Sequence, residues 1–249
     1  MEKDSITPGD KVSAIILAGG SGKRMQSEIP KQYMRLGEHP ILYYSLKAFD
    51  NSSIDEITLV INENDREYLI EKLLKTYTFQ KPVHLAPGGE ERYLSVYNGL
   101  QVCRNSDYVL VHDGARPFIS VEIIEETIKN TKEYKACAVG VPVKDTIKII
   151  DTNGTIKETP DRSKVWAIQT PQAFQTSLII NAYEQLLADL NQETGGGPLA
   201  VTDDAMVLEC TSRYPIKIIM GSYSNIKITT PEDIRVGEAL LKGLKEEFL

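Results

Sequence analysis

The chain has 249 residues, of which 41% are hydrophobic and 25% are charged, the balance of a globular protein able to bury the core of one domain. Its net charge of −7 disfavours a role in coating nucleic acid, which requires a basic surface. Residues 1–11 are polar and lack the apolar stretch of a signal peptide, and no apolar run approaches the length of a membrane span.

Strand-like and helix-like segments alternate after residue 11. Segments rich in Val and Ile predict strands at Val12–Leu17, Glu56–Ile61, Tyr108–His112, Ala136–Val141, Val165–Ile168 and Ile216–Met220. Segments with apolar residues at helical spacing predict helices at Ile41–Phe49, Asp65–Tyr77, Leu94–Arg104, Val121–Tyr134 and Leu178–Leu190, and a last helix begins at Pro231. The alternation predicts an α/β fold, a single Rossmann-like domain over residues 12–249 with helices on both faces of a mostly parallel mixed sheet.

One segment departs from this rhythm. Thr146–Asp151 and Thr155–Glu158 alternate apolar and polar residues around Asn153-Gly154, which is a two-residue hairpin signal. We therefore expect an antiparallel β-arm at about residues 143–164 that projects from the main sheet. An isolated hairpin is marginally stable in water, so its isoleucines need a partner surface.

A glycine-rich loop, LAGGSGKRM, follows the first predicted strand. Its three glycines allow the backbone to approach a ligand closely, and basic residues follow at Lys23, Arg24 and Lys31. The spacing fits neither a P-loop nor a dinucleotide fingerprint. The loop predicts a phosphate-bearing ligand, and an ordinary strand-to-helix turn with solvated charges stays open as the alternative.

Two further motifs carry candidate chemistry. PGGEERYLSV, from Pro87 to Val96, is either a simple turn or a base-binding loop that uses backbone groups at Gly88 and Gly89. In VLVHDGARPF, Asp113 ends a buried strand and Arg116 follows it, which suits either a phosphate site or a structural ion pair. His112 is interpreted as a packed strand residue. The dipeptides at 170–171 and 230–231 are candidate helix N-cap pairs.

The order of these blocks resembles a known family. LAGGSGKRM with PKQY resembles the signature of sugar-nucleotide pyrophosphorylases and their relatives. GGEER, VHDGARP, PVKDT, DRSKVWAIQTPQ, TDDA and NIKITTPED narrow the resemblance to the 2-C-methyl-D-erythritol 4-phosphate cytidylyltransferase family of the non-mevalonate isoprenoid pathway. The resemblance covers the chain from about Val12 to the last helix.

The resemblance implies roles for particular residues. The implied catalytic residues are Arg24 and Lys31 at the α-phosphate, and Arg162 and Lys227 at the methylerythritol phosphate. The implied nucleotide-binding residues are Ala18, Gly19, Gly20, Gly22, Gly89, Glu90 and Ser95. The implied substrate-binding residues are Asp113, Arg116, Thr146, Thr170 and Thr202. Two departures from the family pattern are Glu90, where an aspartate is familiar, and the insertion at Gly195–Pro198.

The resemblance also implies the partners of the site. The ligands are CTP, methylerythritol phosphate and Mg²⁺, which is held mainly by the phosphates of CTP, with Asp113 the one candidate protein ligand. The β-arm is expected to make a homodimer in which Thr146 and Arg162 reach the neighbouring active site. Three cysteines without metal-ligand spacing, Cys103, Cys137 and Cys210, fit reduced thiols in the cytoplasm. We expect neither a nucleic-acid nor a membrane partner.

The chemistry agrees with this assignment. The second pKa of a phosphate monoester is near ~6, so the nucleophile is largely a dianion at neutral pH and needs no general base. The difficulty is its repulsion from the triphosphate, which fixed cations must screen. Two alternatives remain open at this point, a ribitol 5-phosphate cytidylyltransferase and a non-catalytic nucleotide-sensing protein.

Overall fold

The structure is a computed structural model that describes residues 9–20, 30–191 and 201–247. Within these ranges the strands are β1 (Val12–Leu17), β2 (Arg35–Leu36), β3 (His39–Pro40), β4 (Glu56–Ile61), β5 (Val83–Pro87), β6 (Tyr108–Asp113), β7 (Ala136–Pro142), β8 (Ile149–Ile150), β9 (Ile156–Glu158), β10 (Trp166–Gln175) and β11 (Lys217–Met220). The α-helices are α1 (Ile41–Asp50), α2 (Arg66–Leu69), α3 (Arg92–Val102), α4 (Val121–Tyr134), α5 (Thr176–Asn191), α6 (Asp204–Thr211) and α7 (Pro231–Glu247).

The main sheet has seven strands in the order β11-β7-β10-β6-β1-β4-β5. β1 pairs in parallel with both β4 and β6, whereas β10 runs antiparallel to β6 and β7. The mostly parallel mixed sheet is confirmed. Because the chain leaves β1 toward β4 and β5 and later returns to its other side at β6, the strand order reverses beside β1. Ligands in such sheets bind beyond the carboxyl ends of the strands at this switch point.

Helices cover both faces of the sheet. This arrangement is needed because alternate side chains of the central strands point to opposite faces and both sets are apolar. On one face, Ala14 and Ile16 of β1 belong to a cluster that includes side chains of α1, α2 and α4. On the other face, Ile15 packs into a cluster that includes α3, α5 and α6. The central strands are therefore buried on both sides, which explains their nearly continuous apolar sequences. None of the helices in the described ranges is long and apolar enough to cross a lipid bilayer.

Several element predictions need correction. The predicted helix at Asp65–Tyr77 is a composite, in which α2 continues as a π-helix at Ile70–Leu74. Thr170 and Pro171 are joined by a cis peptide bond inside β10, at an irregularity of the ladder, so the prediction of an N-cap pair there is wrong. The pair at 230–231 does lie at a helix start, because α7 begins at Pro231.

The predicted hairpin is present as a separate two-stranded antiparallel sheet of β8 and β9. Its turn is longer than the two residues expected. The Gly154 N–H donates to the Asp151 carbonyl at 3.1 Å, the Asp151 carboxylate accepts from the N–H groups of Asn153 and Thr155, and Gly154 alone of these has a positive φ, 80°. The role of the hairpin as a projecting arm stays a prediction. The Gly195–Pro198 insertion lies outside the described residues.

A buried carboxylate fixes the end of α1 against the loop before β5. Asp50 is 2% exposed, and its Oδ1 accepts from the N–H groups of Gln80 at 2.6 Å and Lys81 at 2.9 Å. Its Oδ2 lies 2.8 Å from Lys47 Nζ. Burial alone would raise the pKa of Asp50, but the hydrogen bonds from Lys47 and from the two backbone N–H groups lower it below its ordinary value.

We predict that Asp50→Asn lowers the free energy of unfolding by about 1.5–3 kcal/mol at neutral pH, because charge-assisted hydrogen bonds are lost. Since the folded-state pKa of Asp50 is lowered, its contribution is complete above the unfolded-state pKa and disappears as the pH falls through the folded-state value. Urea unfolding should therefore give a difference from wild type that shrinks in acid. A difference that is constant down to strongly acidic pH would contradict this role.

Candidate active site at the carboxyl edge of the sheet

A cavity of about 460 Å³ opens beyond the carboxyl ends of β1, β4, β5 and β6. Its walls are the loop after β1, the loop between β5 and α3, the end of β6 and the segment before α7. The residues predicted from the sequence that line it are Ala18, Gly19, Gly20, Lys31, Gly89, Glu90, Ser95, Asp113 and Lys227. The structure thus brings together side chains that are more than 200 positions apart in the chain. Gly22 and Arg24 lie outside the described residues.

The loop after β1 is held from both sides. The Ala18 N–H donates to the Val60 carbonyl at 2.7 Å, and the buried Gln32 amide donates to the Ala18 carbonyl at 2.6 Å. Lys31, the neighbour of Gln32, points its ammonium group toward the cavity and lies 3.4 Å from the Ile228 carbonyl. The PKQY motif therefore combines a buried residue that fixes the glycine loop with a cation that faces the cavity.

The loop between β5 and α3 folds back tightly on the start of that helix. The Gly88 N–H donates to the Ile61 carbonyl at 2.6 Å, and the Gly89 N–H donates to Ser95 Oγ at 2.9 Å. A side chain at residue 89 would collide with Leu94, which explains the glycine. Both backbone N–H groups are thus engaged within the protein, and a base-binding role of this loop through its other backbone groups stays a prediction.

Asp113 is the electrostatic centre of the site. Its Oδ2 lies 2.7 Å from Lys227 Nζ and 3.8 Å from Arg116 Nε, and its Oδ1 lies 3.8 Å from Arg92 Nη2. Burial alone would raise the pKa of this carboxyl group, but the positive charges of Lys227 and Arg92 hold it well below its usual range. Asp113 is therefore a carboxylate at every physiological pH. Of the two alternatives that the sequence left open, the ion pair of Asp113 with Arg116 is present at 3.8 Å, and a phosphate site stays a prediction.

The register of the sheet places this carboxylate beside the glycine loop. Leu17 of β1 pairs with Asp113 of β6, and the Gly114 N–H donates back to the Leu17 carbonyl at 3.0 Å. A Cβ at residue 114 would lie 2.7 Å from Leu42 and 2.9 Å from the Leu17 carbonyl. Only glycine fits where these two strands end side by side.

Arg92 and Asp204 are site residues that the sequence interpretation missed. The guanidinium of Arg92 forms two 2.8 Å hydrogen bonds with the carboxylate of Asp204, which is fully buried and also accepts from Tyr183 Oη at 2.6 Å. Burial alone would lower the pKa of Arg92, but the charge of Asp204 raises it above its ordinary value. The arginine in GGEER and the aspartates in TDDA were visible in the sequence, but their pairing depends on the packing of α3 against α6.

Gln172 completes this framework from β10. Its side-chain oxygen accepts from the N–H groups of Asp204 and Ala205, at 3.0 and 2.8 Å, and its amide donates to Asp203 at 2.9 Å. Asp203 also caps α6 by accepting from the Met206 N–H at 3.0 Å. The start of α6 is therefore fixed to the sheet through side chains.

Other predicted residues lie near the cavity or away from it. Thr170 is buried, and its hydroxyl oxygen accepts a hydrogen bond from the Asp113 N–H at 3.0 Å, which fixes the last residue of β6 to β10. Thr202 is exposed just before α6. Thr146 and Arg162 flank the hairpin and are exposed, with Arg162 donating to the Lys144 carbonyl at 3.1 Å. None of these four residues lines the cavity within the described chain.

The donor set fits a magnesium ion that is shared with phosphate oxygens. Within the described residues, no group of three or more His, Cys, Asp or Glu side chains could hold a metal by itself. Lys227 lies 2.7 Å from Asp113 Oδ2, and Arg92 lies 3.8 Å from Oδ1. Protein Mg²⁺ sites commonly use one or two carboxylates and complete the octahedron with water and phosphate oxygens. Asp113 Oδ1 is therefore a suitable single protein ligand.

Comparisons with known proteins agree on one family. The family model described as 2-C-methyl-D-erythritol 4-phosphate cytidylyltransferase (IspD) matches residues 12–243. A protein of that name from Lachnoclostridium phytofermentans is 51% identical, over 94% of this chain and 97% of its own length. The crystal structure of 4-diphosphocytidyl-2C-methyl-D-erythritol synthase from Anaerococcus prevotii is 39% identical with a TM-score of 0.81, and covers 94% of this chain and 97% of that one. The cytidylyltransferase structure from Thermus thermophilus has a TM-score of 0.72 at 25% identity, over 93% and 99% of the two chains.

The Arg92–Asp204 pair yields a stability prediction. Arg92→Met should lower the free energy of unfolding by about 3–5 kcal/mol, because it leaves a buried carboxylate without its cation. The matched control is Arg104→Met, since the Arg104–Glu184 pair has both side chains nearly half exposed and such pairs contribute at most about 1 kcal/mol. Urea unfolding of both variants makes the comparison. Equal, small losses would show that the Arg92 pair does not fix α6 to α3.

Proposed function

The chain belongs to the 2-C-methyl-D-erythritol 4-phosphate cytidylyltransferase family, and from that premise we propose how its cavity performs the reaction. The protein transfers CMP from CTP to 2-C-methyl-D-erythritol 4-phosphate, which gives 4-diphosphocytidyl-2-C-methyl-D-erythritol and pyrophosphate in the non-mevalonate isoprenoid pathway. The observation that carries the proposal is that Lys31, Arg92, Lys227 and Asp113 line one cavity with the glycine loop, with Arg92 and Lys227 paired to Asp113.

The bond changes require charge screening more than proton transfer. A phosphate oxygen of methylerythritol phosphate attacks the α-phosphorus of CTP, and the bond between this phosphorus and the α,β-bridging oxygen breaks as pyrophosphate leaves. The nucleophile is already largely a dianion at neutral pH. Phosphoryl-type transfers depend mainly on positioning and on fixed positive charge near the attacking and leaving oxygens. A cavity with converging cations and no general base suits this chemistry.

We assign the two sides of the cavity to the two substrates. Lys31 and Arg24 act on the triphosphate beside the glycine loop, with the backbone of Ala18, Gly19 and Gly20 close enough to approach its oxygens. Lys227 and Arg116 act on the methylerythritol phosphate beside Asp113. Asp113 orients the second pair, since it lies 2.7 Å from Lys227 Nζ and 3.8 Å from Arg116 Nε.

The loop between β5 and α3 is assigned to the cytosine base. The cytosine 4-amino group donates hydrogen bonds and therefore needs acceptors, which we assign to backbone carbonyls of this loop and to the carboxylate of Glu90. A carboxylate is a good acceptor for this amino group. Glu90 is one methylene longer than the familiar aspartate and is exposed at the rim, so it can reach the base from outside the loop.

Mg²⁺ is part of the proposal. We assign it to the phosphates of CTP, with Asp113 Oδ1 as its protein ligand, where it would neutralise negative charge on the triphosphate. Lys227 then keeps Asp113 oriented through the 2.7 Å contact to Oδ2. We also place the protein in the cytoplasm, where its thiols stay reduced. In the described residues Cys103, Cys137 and Cys210 are free.

We further propose that the active protein is a homodimer joined through the β8–β9 hairpin. Ile150 and Ile156 are 58% and 59% exposed in the single chain, which is unfavourable for a hairpin that packs on nothing. Thr146 and Arg162, which the family resemblance assigns to the substrate, flank this hairpin and do not line the cavity of their own chain. A second subunit that receives the hairpin would bury the isoleucines and bring both residues to its cavity.

The activity is tested by pyrophosphate release from CTP with methylerythritol phosphate, ribitol 5-phosphate and other polyol phosphates. We expect release with methylerythritol phosphate in clear preference to the rest. Lys31→Ala should lower turnover by about 10²–10³-fold, the usual cost of one lost transition-state contact, with little change in unfolding. Lys75→Ala, which removes an exposed lysine directly after the π-helix, is the matched control and should be as active as wild type. Preference for ribitol phosphate, or near-normal turnover of Lys31→Ala, would overturn the assignment.

Mixed dimers test the shared site. Lys31→Ala and Arg162→Ala homodimers should both be nearly inactive, whereas a mixed dimer has one site with both residues intact. Random exchange of equal amounts makes half of the dimers mixed, so about a quarter of the wild-type activity should return. Differently labelled chains confirm the exchange. Verified mixed dimers that recover no activity would show that each chain completes its own site.

A further inference from the structure

His112 is a buried titratable residue to which the proposed reaction assigns no role. It lies on β6 directly before Asp113, is fully buried, and does not line the cavity. Its ring is 5.0 Å from the ring of Phe49, which by itself would suit a purely apolar packing role. Both ring nitrogens, however, are within hydrogen-bond distance of residues that surround Asp113.

The hydrogen bonds form a chain with a defined direction. The Asp113 N–H donates to Thr170 Oγ1 at 3.0 Å. Thr170 Oγ1 lies 3.1 Å from His112 Nδ1, and His112 Nε2 lies 3.3 Å from the Arg116 carbonyl. A carbonyl oxygen can only accept, so Nε2 must carry a proton to make its bond. If the ring is neutral, Nδ1 is then unprotonated and accepts from the Thr170 hydroxyl, and the ring is the Nε2–H tautomer.

Full burial favours the neutral form of the ring, since a buried charge is costly unless it is paired. In that form, with Nε2 protonated, the ring has one donor for the Arg116 carbonyl and one acceptor for the Thr170 hydroxyl.

We propose that His112 is a positioning residue for the reaction. In its Nε2–H tautomer it orients the Thr170 hydroxyl, and through that hydroxyl it holds the backbone of Asp113 where the carboxylate meets Lys227 and Arg116. The proposal rests on the proposed function, which places Asp113, Arg116 and Lys227 on the methylerythritol phosphate side of the cavity.

The two ring nitrogens of His112 contribute unequally to holding Asp113 in position. The Arg116 carbonyl also lies 3.1 Å from Ser45 Oγ, whose one hydroxyl proton it shares with the Gly114 carbonyl at 3.2 Å, so loss of the Nε2–H donor still leaves it a shared donor. Nδ1 is the acceptor that this arrangement provides for the Thr170 hydroxyl. The position of Asp113 should therefore depend mainly on the Nδ1 side of the ring.

Two substitutions of His112 separate the contribution of Nδ1 from that of Nε2. His112→Asn places an amide oxygen near the position of Nδ1 and keeps an acceptor for Thr170. His112→Gln reaches the position of Nε2 and keeps the donor to Arg116, but it loses the acceptor. His84→Gln is the control for the same chemical change at a half-exposed histidine on β5, which pairs with Glu56 at 3.5 Å and lies outside the cavity.

The tautomer is measured on the wild-type protein without substrate, by long-range ¹H–¹⁵N NMR correlations of the imidazole rings. The chain has three histidines, so substitution of each assigns its signals. We expect His112 to be the neutral Nε2–H form at neutral pH. An Nδ1–H tautomer or an imidazolium would overturn the proposal, whatever the activity of the enzyme.

Steady-state kinetics then test the positioning role. With saturating CTP, His112→Gln should lose up to about 100-fold in kcat/KM for methylerythritol phosphate, since displacements of about 1 Å near reacting groups cost that much. The KM for CTP should stay near its wild-type value, His112→Asn should lose much less than His112→Gln, and His84→Gln should match wild type. Equal losses in the two His112 variants at equal stability, or equal losses toward both substrates, would show that the residue only packs the core. Wild-type protein that cannot use the two substrates would instead refute the proposed function.

Discussion

A buried carboxylate that attracts cations from three separate segments determines the organisation of this site. Asp113 is 8% exposed, and a charge in such a position is tolerated only when it is paired. Its partners come from the start of α3 (Arg92), the loop after β6 (Arg116) and the segment before α7 (Lys227). Because this one anion must be neutralised, Arg92, Arg116 and Lys227 lie close together, and they supply positive charge that the phosphate groups of the substrates require. Without that anion the same cations would repel one another in the empty cavity.

The surrounding framework makes this cluster rigid before any substrate arrives. Asp204 fixes Arg92 from behind with two hydrogen bonds, and the Asn225 carbonyl fixes Arg116 at 2.8 Å. The buried Asn225 amide binds in turn to the Thr170 carbonyl of β10, so the segment that carries Lys227 is attached to the sheet. Preorganised charges of this kind cost no reorganisation during the reaction, which is why they stabilise transition states effectively.

The sequence predicts elements well where periodicity is strong and poorly where tertiary pairing decides. Val12–Leu17, Glu56–Ile61 and Val121–Tyr134 have the bounds that their patterns indicate. β5 is missed because it is a short edge strand with a histidine and a terminal proline. β10 is underestimated because it continues through a cis Thr170–Pro171 bond, and no local rule distinguishes that proline from one that starts a helix.

The residues of the candidate site were likewise predictable where a sequence motif marks them and not where tertiary pairing brings them together. Lys31, Asp113 and Lys227 were predicted from motifs, and the parallel register of β1 and β6 explains why they meet. Arg92 and Asp204 were not predicted, because an arginine at a helix start and a pair of aspartates before another helix are ordinary surface patterns until the two helices are packed together. Backbone groups at Gly88 and Gly89 were expected to be exposed, and only the fold shows that their N–H groups are engaged within the protein.

The central claim, that Asp113 acts by holding the cations in place, is tested most directly by a double-mutant cycle of Asp113→Asn and Lys227→Met. The measured quantity is kcat/KM for methylerythritol phosphate at saturating CTP. If Lys227 depends on Asp113 for its position, the Lys227→Met loss should be much smaller in the Asp113→Asn background, with a coupling free energy of about 1–3 kcal/mol. Losses that simply add, within about 0.5 kcal/mol, would show that the two residues act independently and would contradict this account of the site.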